Sequence, residues 1–534
     1  MNIVCRRFSR LLMVFIFLNS GFYNISSTFL YSQEIQTVHI GIVKEQDVDS
    51  IARDISDDYF IRGKAILRAM ESINAGVIKA EADINRPSYH FKPLSKWMND
   101  INGPIYYKDN YHIFYQHNPY SDEWGHMHWG HAVSKDLVNW EHLPVALWPS
   151  WDKGELHCFS GCSVVNDKGD PMIFYTKVTY PEPQDESELL WPLIAHEQWA
   201  AVSYDDKLMT WEKHPSNPII ELGMHPGEKF RPNWRDPFIF RDAGRTFMIL
   251  GADFEEEAVI PVYETETDDF SRWGYKGILF RSSKDQVKFF ECPNFFKLGD
   301  KWVLLYSVWR PIEYQIGSFD TNSLKFTPRK LGILDYGDDL YASNILFDDN
   351  RVVLLGWIKG FKKNKGWNGY MILPRILSTD EDGNIIQFPV SEAISLRKSE
   401  FKRSDFTLDN ASWLVEEIKG KELEINMKIK ALSADVFGIN LFKSKSSANK
   451  FTIRVVGDNV YAGDTVIPIG NKNKKDNLEF RIFIDNSVVE LFIDDGKRCL
   501  TKVFYPAHDG EYIEIFSERG SIRVEEFGVW KLSL

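Results

Sequence analysis

The chain is short of cysteine, of basic charge and of long apolar runs, and each shortage removes a class of function. Only five of its 534 residues are cysteine. Apart from Cys5, near the start, these are Cys158, Cys162, Cys292 and Cys499, too few for a disulfide framework in so long a chain. Cys158 and Cys162 are close in sequence, but Cys162 falls in an expected strand and no bridge is predicted. No His or Cys pair with ligand spacing has a second such pair beside it, so neither a metal centre nor a cofactor is expected. Lys and Arg number 63 against 76 Asp and Glu, a formal net charge of −13. With no basic patch, nucleic acid is not an expected partner. The apolar run Leu11–Leu18 follows Arg6, Arg7 and Arg10. It is too short to span a bilayer and fits the core of a secretory signal within residues 1–33. No other stretch is long and apolar enough to be a membrane span, so a secreted or periplasmic protein is expected.

Aromatics are plentiful, at 14% of residues with 17 Trp. Most belong in a core. Trp124 and Trp129 stand in polar loop sequence instead, where an indole can stack on the C–H face of a sugar.

The main pattern is a repeat. Five times between Asp100 and Trp357 a polar entrance leads into an apolar strand, a tight polar turn and a second apolar strand. The entrances are at Asp100, Ser160, Asp236, Glu291 and Ala342. The turns Lys108-Asp-Asn, Asp167-Lys-Gly-Asp, Arg241-Asp-Ala-Gly, Leu298-Gly-Asp and Asp348-Asp-Asn are hairpin chemistry. A second motif runs in phase with the first, an Asp turn followed by an aromatic at Trp140, Trp211, Trp273, Phe326 and Phe388. Its intervals are 71, 62, 53 and 62 residues. Four strands per repeat at this period predict a five-bladed propeller, the hairpin forming each inner strand pair and the Asp turn joining the outer pair. An open run of hairpins in a sandwich is the alternative.

Helical spacing of Ile51, Ile55, Ile66, Leu67, Met70 and Ile73 predicts a helix over 47–83. Pro181–Trp191 interrupts the repeats as a long acidic loop. Beyond about residue 400 short alternating strands begin at Leu423, Phe437, Phe451, Phe480, Val488 and Tyr512, the signature of a β-sandwich. The expected domains are a signal at 1–33, a helical extension at 34–87, an all-β propeller at 88–395 and a sandwich at 396–534.

Three of the five entrances carry a carboxylate: Asp100, Asp236 and Glu291. Each alone is an ordinary turn residue. At matched positions of a closed ring they face one axis and converge. Paired carboxylates break glycosidic bonds, one acting at the anomeric carbon and the other protonating the leaving oxygen. Local sequence gives Arg235 to hold Asp236 charged, an apolar Phe289-Phe290 setting to raise the pKa of Glu291, and amides around Asp100 to steady an anion.

The motifs Trp97-Met-Asn-Asp-Ile-Asn-Gly-Pro104, Arg235-Asp-Pro237 and Glu291-Cys292 resemble the signatures of glycoside hydrolase family 32. So do Phe159-Ser-Gly161, the run Trp129–Trp140, Tyr341-Ala342 and Phe480–Phe492, so the resemblance covers roughly residues 88–534. It implies a five-bladed propeller plus sandwich that acts on sucrose or on fructans such as levan and inulin, releasing terminal β-D-fructofuranosyl units with retention. It further implies Asp100 as nucleophile, Glu291 as acid/base and Asp236 as a stabiliser of the transition state. Asn99, Gln116, Trp124, Phe159, Ser160 and Arg235 match positions that line the fructose pocket. Two positions depart from the pattern. Ile101 replaces the usual proline, which loosens the turn without removing a reacting atom. Cys162 replaces a common serine, with an expected change in pocket polarity. An inverting pentosidase on the same fold, or a non-catalytic carbohydrate-binding propeller, are the competing readings.

Overall fold

The computed structural model describes residues 62–534 except 180–194, 226–229, 256, 349 and 471–476; between residues 12 and 61 it gives backbone elements only. Two compact units result, Met1–Arg68 and Ala69–Leu534. The first holds a three-stranded antiparallel sheet, Leu12–Asn19, Phe22–Tyr31 and Glu34–Val43, and the start of the helix Glu45–Glu81. The basic start of the expected signal, Arg6 to Arg10, and the acidic loop Pro181–Trp191 lie outside the described residues.

In the second unit, five sheets follow one another as the repeat predicts. Blade one is Lys96–Tyr107, Asn110–Asn118, His128–Ser134 and Trp140–Leu147. Blade two is His157–Val165, Pro171–Thr179, Ala195–Val202 and Glu212–Lys213. Blade three is Phe230–Asp242, Arg245–Phe254, Glu257–Thr265 and Trp273–Ser283. Blade four is Glu291–Leu298, Lys301–Ser307, Glu313–Asp320 and Lys325–Ile333. Blade five is Leu340–Asp348, Arg351–Ile358, Arg375–Thr379 and Ile385–Pro389. Each first strand touches the first strand of the next blade, and the fifth touches the first, so the ring is closed. The short strand Trp367–Asn368, which follows the second strand of blade five, pairs with Lys96–Trp97 of blade one and fastens the closure.

The Asp turns join the third and fourth strands for a local reason. In three blades the residue three before the aromatic takes a left-handed φ (Leu137, 61°; Leu208, 54°; Phe270, 55°). Its carbonyl then accepts the indole N–H of Trp140 (3.2 Å), Trp211 (2.9 Å) or Trp273 (2.9 Å). The Asp carboxylates collect the loop amides, as Asp136 does from Val138 (3.0 Å) and Asn139 (2.7 Å). In these three blades the repeated Trp is therefore the lock on its own turn, and Trp211 and Trp273 are buried core residues as well.

The C-terminal part is two facing six-stranded sheets. One orders Arg397–Asp409, Ser521–Leu532, Glu422–Ala431, Leu478–Asp485, Val488–Ile493 and Arg498–Val503; the other runs Ser412–Val415, Tyr512–Glu518, Val436–Lys443, Phe451–Val456, Asn459–Ala462 and Thr465–Pro468. Alternating Ile, Val and Phe from both faces fill the space between them. The end of the helix serves the same unit. Ala69 and Ile73 pack on Val145, and the Ser95 hydroxyl donates to the Ile73 carbonyl (2.6 Å). Gly76 permits that approach, since a Cβ there would lie 2.6 Å from Ser95 Oγ.

Propeller and sandwich meet on a buried ionic network. Arg375 donates to Glu490 (2.6 Å), Asp335 (3.0 Å) and Thr501 (2.6 Å). His90 sits between Asp485 (2.8 Å) and Glu490 (2.7 Å). The charged side chains in it are completely buried.

Candidate active site

The first strand of every blade breaks register at the same point. Pairing is lost between Met98 and Ile101, Cys158 and Gly161, Arg235 and Phe238, Glu291 and Asn294, and Tyr341 and Asn344. Each is a β-bulge of two unpaired residues. Left-handed φ at Asp236 (67°), Cys292 (46°) and Ala342 (45°) marks the first unpaired residue in three blades. At a regular strand position alternate side chains leave the axis. At a bulge, successive residues can all point inward.

This corrects one expectation. The three acids do not occupy matched positions of the repeat but three successive ones. Glu291 is the last paired residue of its strand, equivalent to Arg235 and Tyr341. Asp236 is the first unpaired residue, equivalent to Asn99, Phe159 and Cys292. Asp100 is the second, equivalent to Ser160. Equivalent residues then meet around the hub. Arg235 donates to Glu291 Oε1 (2.6 Å) and the Tyr341 hydroxyl to Glu291 Oε2 (2.5 Å). The Cys292 N–H donates to Asp236 Oδ2 (3.0 Å), and Ser160 to Asp100 Oδ2 (2.5 Å). The Cys292 thiol lies 3.5 Å from Asp100 Oδ2 and 3.9 Å from Asp236 Oδ2, and Arg235 lies against both Asp236 and Glu291, so all three acids converge at the hub.

Around them stand the residues named from the sequence. Asn99 donates to Asp100 Oδ1 (3.0 Å) and to Gln116 Oε1 (3.1 Å), and Gln116 donates to Ser160 (2.5 Å). The Trp97 indole fixes the Asn99 amide at 2.7 Å. Phe159 contacts Trp124, His157 and His196, and Trp124 remains 45% exposed at the rim. Arg235 lies over the Phe289 ring at 4.0 Å. Thr176 accepts the Asp236 N–H at 3.0 Å and is held in turn by Gln198 (2.8 Å).

The electrostatics differ from the local-sequence reading in two ways. Burial pushes the Asp236 carboxyl up to about 7, outweighing the adjacent Arg235 guanidinium that favours the charged form. Glu291 does not sit in an apolar setting: Phe289 packs on Arg235, and the polar groups of Arg235 and Tyr341 face Glu291 itself. Asp100 is also raised from the ordinary carboxylate range by burial, against the donors Ser160 and Asn99 and with Glu291 adding repulsion.

The departures also resolve. Ile101 is buried in the core beside Met98 and Tyr115, and pairing resumes at that residue, so the bulge closes without proline. Cys162 does not change pocket polarity. Strand pairing resumes just before it, so it faces away, into the apolar cluster with Met172 and Phe174, and burial pushes its thiol up to about 12. Cys158, Cys162, Cys292 and Cys499 are all free and buried. Among the described residues no group of three or more His, Cys, Asp and Glu is arranged to hold a metal ion, and no helix is long and apolar enough to cross a membrane.

Family models agree with this architecture. The chain matches the N-terminal domain of glycosyl hydrolases family 32 over residues 90–389 and the C-terminal domain of the same family over 392–531. It is a family 32 glycosyl hydrolase. Among family 32 relatives, a levanase of Bacillus subtilis is 32% identical over 501 residues, covering 84% of this chain and 70% of that protein. A sucrose-6-phosphate hydrolase of Escherichia coli is 30% identical over 501 residues, covering 87% and 99%. Fructan 1-exohydrolase IIa of Cichorium intybus superposes with a TM-score of 0.75 at 25% identity, covering 84% and 98%.

Tyr341, Cys292, Thr176 and Gln198 escaped the sequence reading as site residues. For the first two a signal exists: shifting the repeat alignment by one residue puts Tyr341 level with Arg235 and Glu291, and Cys292 level with Asp236. Thr176 sits on the second strand of blade two and Gln198 on its third, with no motif of their own.

The raised Asp236 carboxyl makes a stability prediction. In the folded state it binds its proton more tightly than in the unfolded chain, so its contribution becomes unfavourable as pH rises from about 4 to 7. Asp236→Asn is expected to be more stable than wild type at pH 8, by on the order of a few kcal/mol, and to match it near pH 4. Thermal melts of both proteins at the two pH values check this.

Proposed function

We propose that this hydrolase cleaves β-D-fructofuranosyl bonds of sucrose or fructans by a retaining double displacement, with Asp100 as nucleophile, Glu291 as acid/base and Asp236 binding fructose hydroxyls. The observation carrying the proposal is the convergence of the three carboxylates, one at the last paired residue before a bulge and two within bulges, with donors on each. Asp100 attacks the anomeric carbon while Glu291 gives its proton to the leaving oxygen; water then displaces Asp100 with Glu291 as base. Such chemistry needs the two carboxyl groups about 5–5.5 Å apart. Tyr341 fits the change of role, because its hydroxyl can donate to ionised Glu291 and accept from the protonated acid. Asp236, poised near neutrality, can accept from or donate to a sugar hydroxyl. Asn99, Gln116, Trp124, Phe159, Ser160 and Arg235 line the fructose pocket in this reading. Levanase and sucrose-6-phosphate hydrolase among the relatives supply the substrate class.

The catalytic propeller is assigned to 88–395, the sandwich to 396–534 and an N-terminal extension to 34–87, whose helix Glu45–Glu81 follows the strand Glu34–Val43. Export through a signal within 1–33 belongs to the same proposal, resting on Arg6, Arg7 and Arg10 ahead of Leu11–Leu18.

Incubation with sucrose, levan and inulin is expected to release free fructose from at least one of them. NMR of the first product formed is expected to show the β-anomer. The α-anomer would point to an inverting enzyme, and no release from any of the three would sink the proposal.

A further inference from the structure

Trp309 is 70% exposed, yet it is fixed in place. Its ring packs on Tyr341 with centroids 4.9 Å apart and planes 33° from parallel. Its backbone N–H donates to the Tyr341 hydroxyl (3.1 Å), the same hydroxyl that holds Glu291. The residue has a left-handed φ of 58°, a conformation that costs a bulky side chain energy and persists only where the surroundings impose it.

Those surroundings are visible on both sides. Val308 packs against the core shared by blades two to four, and Ile312 is fully buried. Arg310 forks onto Glu313 (2.5 and 3.0 Å) and donates to the Gln286 carbonyl (2.8 Å). The short link between the second and third strands of blade four is therefore anchored at each end, and only the indole stands out. One face covers Tyr341. The rest is open, one side chain away from the proposed proton donor.

We infer that Trp309 is the platform for the leaving sugar, the unit joined to the fructosyl residue being cleaved. This rests on the fructosidase reading and extends it to the other side of the scissile bond. The reasoning is geometric. The pocket floor built by Asp100, Asp236, Asn99 and Gln116 takes the fructosyl ring. Glu291 must reach the oxygen between the two sugars, so the leaving ring lies on the far side of Glu291 from that floor. Tyr341 and Trp309 stand there, and an exposed indole offers a flat surface to the C–H face of a sugar. Trp124, at the rim beside Phe159, borders the fructosyl side instead. Specificity for the group that departs is thus separated from recognition of the group retained.

The test compares leaving groups. Wild type, Trp309→Ala and Trp309→Phe are assayed on whichever of sucrose, levan and inulin the wild type cleaves, and on methyl β-D-fructofuranoside, which has no leaving sugar. In Trp309→Ala, kcat/KM for the sugar-linked substrate is expected to fall roughly five- to tenfold, mostly through KM, while methyl fructoside stays within about twofold; Trp309→Phe recovers most of the loss. Equal losses on both substrates, with a displaced pH profile, would mean that the ring only steadies Tyr341 and Glu291. No loss on either would mean that the indole is idle. Either result overturns the inference and leaves the fructosidase reading standing. A wild-type protein inert on every fructoside removes both.

Discussion

Asp100→Asn is expected to lower turnover by at least about 10⁴-fold while the melting temperature holds or rises. The loss follows from the chemistry: an amide oxygen is a far weaker nucleophile than a carboxylate, and no other acid is placed to replace it at the second unpaired bulge position, where its counterpart in blade two is Ser160. A factor of 10⁴ corresponds to about 5.5 kcal/mol of transition-state stabilisation. The fold is preserved because the substitution keeps volume and the polar partners Ser160, Asn99 and Cys292. Burial already raises the pKa of the wild-type carboxyl, so removing its charge relieves a cost in the folded state. Initial rates of fructose release together with a thermal melt check both halves. Turnover within tenfold of wild type would remove Asp100 from the nucleophile's role.

Arg375→Met is expected to produce the largest loss of stability of any single change outside the apolar cores. Arg375 is the only cation among the described residues that bonds both Glu490 and Asp335, and all three are completely buried. Removing it leaves two desolvated carboxylates at the seam between propeller and sandwich, a cost of about 3–5 kcal/mol. Adding Glu490→Gln to the same chain is expected to recover part of the loss. Differential scanning calorimetry of the single and double variants measures this; a single variant that melts with wild type would show the network to be incidental.

The same seam carries a pH signature. His90 lies between two carboxylates, and their hydrogen bonds outweigh the burial that alone would lower its pKa, raising it from 6.5 to about 9. Both ring nitrogens donate, so the native ring is an imidazolium. A group whose folded pKa lies above its unfolded value stabilises fully below the unfolded value. Its contribution, on the order of 3 kcal/mol, is therefore present below about pH 6.5 and gone once pH passes about 9. The alkaline side of the stability profile should be shallower in His90→Gln than in wild type.

Much of this protein can be read along the chain. Hairpin turns, the in-phase Asp-turn aromatics and the alternating strands after residue 400 are local patterns, and local steric and hydrogen-bonding rules convert them into blades and a sandwich. The identities of Asp100, Asp236 and Glu291 are legible because their neighbours mark them. What a linear reading misses is register. A bulge shifts a side chain by one position, and only pairing with the neighbouring strand reveals the shift. That is why no linear pattern marks Tyr341 and Cys292, and why Cys162 faces the core instead of the pocket.

The sequence by itself determined the number of blades, the presence of the sandwich and the acids available for chemistry, because each is encoded by residues within a few positions of one another. The tertiary structure alone decided which groups touch. Burial outweighed the neighbouring arginine in setting the charge of Asp236, Tyr341 came to Glu291 from fifty residues away, and Trp309 was left open beside them, since closing the ring brings distant strands together and desolvation depends on everything around a group.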